Sequence, residues 1–89
     1  MFVHLGGDIV IPSKDIIAIM DLESSSFSNN TTEFLQTAED EGFIKKISDS
    51  NLKSFVLSEK DNKTIIYLSP ISSVTLQKRS GFIDEVSLK

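Results

Sequence analysis

The chain predicts an α+β fold: a small antiparallel β-sheet domain of about five to six short strands, one main helix near residues 31–41 and a short C-terminal helix near 70–79. Three observations carry this reading. Six of the seven residues from Ile16 to Leu22 are apolar, and the run lies between Pro12 and Ser24-Ser25-Ser26, which is the pattern of a central strand covered on both faces. Lys53–Glu59 and Thr64–Leu68 are rich in β-branched and aromatic residues and flank Lys60-Asp61-Asn62-Lys63, forming the clearest hairpin in the chain. Between these strand regions, Phe34, Leu35 and Ala38 recur at helical spacing.

Taken in order, Phe2–Leu5 reads as a strand, and Gly6-Gly7 supplies a turn in which either residue can take positive φ. Asp8–Ile11 returns as its partner. Pro12 cannot donate to a ladder, so the strand ends there or lies on an edge. The central strand follows over Asp15–Leu22. Glu23–Asn30 is a polar loop anchored by Phe27. Asn30 is placed to cap the helix Thr31–Glu41, with Glu33 at the capping-box position and Gly42 at the C-terminal cap. Phe43–Ile47 is a short strand and Ser48–Asn51 a turn. After the hairpin, Ser69-Pro70 resembles an N-cap followed by proline at the first helical position, so a helix is expected over Pro70–Arg79 and ended by Gly81. Residues 1–80 form a single domain, and 81–89 are a tail or an oligomer contact.

Composition limits the function. Eighty-nine residues bury one modest core, and with no cysteine no disulfide or thiolate metal site adds to it. Oligomerisation is the remaining way to bury more apolar surface. The first residues lack the basic start and apolar core of a signal peptide, and no run approaches a membrane span, so the expectation is a cytoplasmic protein with no membrane partner. A net charge of −4 argues against the basic excess of a typical nucleic-acid-binding domain.

Catalytic and metal chemistry find no residues to work with. His4 is the single histidine, too few for a zinc set and too isolated to activate Ser24, Ser25 or Ser26. Gly6-Gly7 joins two strands and does not open a helix, so it is no phosphate loop. No cofactor and no enzyme activity are expected. Glu39, Asp40 and Glu41 crowd the end of the main helix, which reads as a solvated helix end or an acidic patch meeting a basic surface. The cations open to phosphate contact are Lys14, Lys53, Lys78 and Arg79.

Three blocks carry a family resemblance: His4-Leu5-Gly6-Gly7-Asp8-Ile9-Val10, Ser13-Lys14-Asp15-Ile16-Ile17-Ala18-Ile19, and Lys53-Ser54-Phe55-Val56-Leu57 together with Tyr67-Leu68-Ser69-Pro70 through Arg79. In order and spacing they resemble the RemA/RemB family of bacterial extracellular-matrix (biofilm) regulators, on its RemB-like side, over about Phe2 to Arg79. The resemblance implies a LytTR-like fold, a cytoplasmic regulator of matrix gene expression, and, in the RemA branch, DNA-binding rings with basic outer faces. It also exposes a departure. Asp15 stands where that branch has an arginine, and Ser50-Asn51 where it has an arginine pair, so charge is reversed or lost at the expected phosphate contacts. A DNA surface here would be rebuilt from Lys14, Lys53, Lys78 and Arg79.

Two functions follow as expectations. The first is a homo-oligomeric transcriptional regulator in which a ring multiplies weak contacts to the backbone of double-stranded DNA. The second is an oligomeric protein-interaction module that has lost direct DNA binding and acts through a protein partner.

Overall fold

The computed structural model describes residues 1–22 and 29–81, with the side chains of 29–31 outside that description. The loop anchored by Phe27 and the tail 82–89 therefore lie outside the described residues. The chain forms β1 (Phe2–Gly6), β2 (Ile9–Pro12), a 3-10 turn (Ser13–Asp15), β3 (Ile16–Asp21), α1 (Asn29–Asp40), β4 (Ile44–Lys46), β5 (Ser54–Lys60), β6 (Lys63–Ser69) and α2 (Ser73–Ser80). An α+β fold with six strands and two described helices results.

β1 and β2 form a two-stranded sheet, while the other strands make a four-stranded sheet in the order β3-β5-β6-β4. The β5–β6 hairpin is its spine, closed by Asp61 and Asn62 at φ 52° and 66°. Positive φ at both central residues is the primed turn that matches strand twist.

The sheet separates two apolar clusters. On one face Val3, Leu5 and Ile11 of the β1–β2 hairpin and Leu76 of α2 pack against Ile16, Ile19, Val56 and Tyr67. On the other, Ala38 and Leu35 of α1 cover Phe55, Ile66 and Leu68. Alternation along β5 and β6 makes this possible, because Val56 and Tyr67 face the hairpin while Phe55 and Leu68 face α1. Each fully buried aliphatic side chain, such as Leu5 or Leu76, contributes about 1.5–3 kcal/mol of transfer free energy.

Four expectations are corrected. The apolar run around Ile16 is an edge strand and not a central one: among the described residues β3 pairs only with β5, and a bulge between Ile16 and Ala18 leaves Ile17 54% exposed, with Met20 43% exposed. The sheet is not wholly antiparallel, because β4 runs parallel to β6, which follows it in the chain after β5. Asn30 lies inside α1 and not ahead of it, and the expected capping side chain is outside the described ones. The last helix begins at Ser73 and not Pro70, capped by Ser72, whose hydroxyl accepts from the Thr75 N–H. Ser69 is instead the last residue of β6, held there by a buried hydrogen bond from its hydroxyl to the Leu5 carbonyl. Gly81 ends α2 in the left-handed region, as its sequence position predicts.

Gly6 closes β1 at φ +118°, and a Cβ there would stand 3.2 Å from Pro70 Cδ and 3.3 Å from Ile47 Cγ2. The turn thus needs glycine for conformation and for space.

Candidate nucleic-acid interface

The register of the sheet decides where each candidate cation lies. Ile16 pairs with Ser58, so the chain just before it, Lys14 and Asp15, lies toward the Glu59–Lys60 end of β5. The 3-10 turn that carries Lys14 packs against β5. Across the Asp61-Asn62 turn, Lys60 pairs directly with Lys63. Lys14, Lys60 and Lys63 therefore share one corner of the sheet, and all three are exposed. Like charges directly opposite one another on neighbouring strands repel.

Beneath this corner is a cavity of about 200 Å³ lined by Pro12, Asp15, Ser58, Lys60, Lys63 and Tyr67, among others. Ser58 donates to the Ile65 carbonyl at 2.8 Å. The carboxylate of Asp15 lines the cavity and Asp61 stands in the turn between Lys60 and Lys63, so both temper the field of the three lysines.

The other candidates are elsewhere. Lys53 precedes β5, whose seven residues span roughly 20 Å at about 3.3 Å each. It sits at the opposite end of the sheet, in a depression shared with Asp21, Ser72 and Val74. Lys78 and Arg79 occupy the last turn of α2, where positive charge suits the helix dipole. Arg79 Nη1 donates to the His4 carbonyl at 2.9 Å and so ties α2 to β1. His4 itself is exposed, with Nε2 2.7 Å from the Gly7 carbonyl oxygen across the turn.

Sequence reasoning passed over Lys60 and Lys63. The signal was present: a two-residue turn forces its flanking residues to stand opposite each other, so an Asp-Asn turn between two lysines makes a charge pair. Among the described residues no three His, Asp or Glu side chains gather as a metal site, and no helix is long and apolar enough to cross a membrane.

Comparison with known proteins gives two findings. A family model described as RemA-like, extracellular matrix regulatory protein A-like, matches residues 2–80. The Extracellular matrix regulatory protein B of Bacillus subtilis (strain 168) is 34% identical over 86 residues, covering 97% of this chain and 98% of that protein.

Proposed function

Because the chain belongs to the RemA-like family of extracellular matrix regulatory proteins, we propose that it is a cytoplasmic regulator of matrix gene expression, acting as a homo-oligomer through weak contact with the DNA backbone. The observation that carries this reading is the exposed corner of Lys14, Lys60 and Lys63 at one end of the sheet. Flexible ammonium groups at the tip of a rigid hairpin suit phosphate oxygens, which carry no sequence information themselves. Three cations on a chain of net charge −4 bind a duplex feebly. Repetition of the corner around an assembly makes the contact useful, since each further corner binds at high effective concentration. Lys53, Lys78 and Arg79 lie away from the corner and would reach the same duplex only from neighbouring subunits or by a tilt of the particle.

The test is fluorescence anisotropy of a labelled duplex of about 40 base pairs at two salt concentrations, beside a measurement of solution mass. Binding by an oligomer that falls steeply with salt supports the reading. A well-formed oligomer that leaves the duplex unbound at low salt moves the function to the protein-partner alternative.

A further inference from the structure

The described residues leave two apolar surfaces open, on opposite sides of the four-stranded sheet. The first is a groove of about 220 Å³ on the α1 side, walled by Phe34, Ala38, Phe43, Leu57 and Ile66. Phe34 and Phe43 are 47% and 44% exposed, a large apolar area to leave in water. Its margin is acidic. Glu33 precedes Phe34, Glu41 follows the helix, and Glu59 pairs with Thr64 on the face of Leu57. On that face of the sheet Lys46 pairs with Leu68, two residues beyond the Ile44–Ile66 pair.

The second surface is the outer side of the β1–β2 hairpin. Val3, Leu5 and Ile11 point inward, so alternation turns Phe2, His4 and Val10 outward, and Phe2 and Val10 are 70% and 54% exposed. Its margin is basic. Arg79 is held against the His4 carbonyl, with Lys78 beside it, and Lys14 stands at the far end next to Met1 through the Ser13 N–H to Met1 carbonyl bond. Among the described residues, Asp8 in the turn and Asp15 beside Lys14 are carboxylates on these elements.

We propose that the hairpin face of one copy docks into the α1-side groove of the next, Phe2 and Val10 entering between Phe34 and Phe43 while Arg79 and Lys78 meet the acidic margin. This rests on the homo-oligomer reading and specifies how it is built. The two surfaces are complementary in charge and alike in being apolar, which favours a second copy over an unrelated partner. Because two different surfaces meet, the contact is head-to-tail, and a pair of copies keeps one face of each kind open for further neighbours. It also assigns Lys78 and Arg79 to assembly, leaving Lys60 and Lys63 for DNA, with Lys14 on the border between the two surfaces.

Two single variants test it, Phe2→Glu on the hairpin and Phe43→Glu at the groove. Both side chains are exposed in the protomer, so circular dichroism should show an unchanged fold. Sedimentation should find the unmodified chain oligomeric and each variant alone monomeric. An equimolar mixture should give dimers and nothing larger, because one intact hairpin then meets one intact groove. If the unmodified chain assembles and both variants assemble equally well, these surfaces are wrong while the oligomer reading stands. Folded monomeric variants that fail to pair when mixed overturn the head-to-tail contact. A monomeric unmodified chain removes the oligomer reading and this inference together.

Discussion

The hydroxyl of Ser69 donates to the carbonyl oxygen of Leu5, 64 residues earlier in the chain, and both residues are fully buried. The hydroxyl oxygen in turn accepts from the Ile71 N–H at 3.0 Å. One small side chain therefore links the hairpin sheet, the end of β6 and the approach to α2. Ser69→Ala strands a buried carbonyl and a backbone N–H, which costs about 1–3 kcal/mol. Thermal unfolding should shift down by roughly 4–8 °C per kcal/mol for a chain of this size. A melting point unchanged within error would show that water takes over both bonds.

Ile17 and Ile19 are two residues apart on one strand, yet they have opposite fates. Ile19 is 7% exposed in the hairpin-side core, and Ile17 is 54% exposed at the bulge. Ile19→Asp buries an unpaired carboxylate and should abolish cooperative unfolding. Ile17→Asp should stay folded within about 1 kcal/mol of the parent in urea titration. Equal loss in both would mean that Ile17 is covered in the assembled protein.

Gly6→Ala combines a positive φ with a Cβ close to Pro70 and Ile47. Destabilisation of about 1–3 kcal/mol is expected. Gly81→Ala has the same sign of φ, and apart from its chain neighbours no described residue lies within 4 Å of its added Cβ. It should cost less, and the comparison in one denaturation series separates crowding from conformation.

Lys63→Glu should move stability and binding in opposite directions. The substitution sets a carboxylate opposite Lys60 and turns a cross-strand repulsion into an attraction, so the protomer should gain roughly a few tenths of a kcal/mol. DNA affinity should fall, with a shallower dependence on salt by about one unit of slope for each phosphate contact removed per bound subunit. Affinity unchanged across the salt series would place the DNA surface elsewhere.

Elements fixed by local chemistry were legible before the structure. The glycine turn of β1–β2, the β5–β6 hairpin, and the glycines closing both helices depend on φ preferences that a single residue declares. Features set by long-range partners were not. Ile16–Leu22 looks central because a continuous apolar run usually has two covered faces, but here Ile17 and Met20 face outward at an edge. Ser69-Pro70 has the chemistry of a helix cap, and the Leu5 carbonyl claims the hydroxyl instead. The parallel β4 depends on a crossover that no local pattern records. For the candidate interface, Lys14 and Lys53 look equivalent in sequence, since both lie beside strands. Only the antiparallel register of β3 on β5 shows that they sit at opposite ends of the sheet.

The bulge at Ile17 has a consequence for solubility. Among the described residues β3 is an outer strand, and a flat outer strand recruits others into indefinite, amyloid-like growth. An inserted residue between Ile16 and Ala18 breaks the ladder on that side and twists the strand away from a flat template. The opposite border, β4, is only three residues long and shows two exposed lysines, Lys45 and Lys46. Both borders are thus poor seeds for strand addition, and a chain with this much exposed apolar surface can be crowded together without sheet-to-sheet fusion.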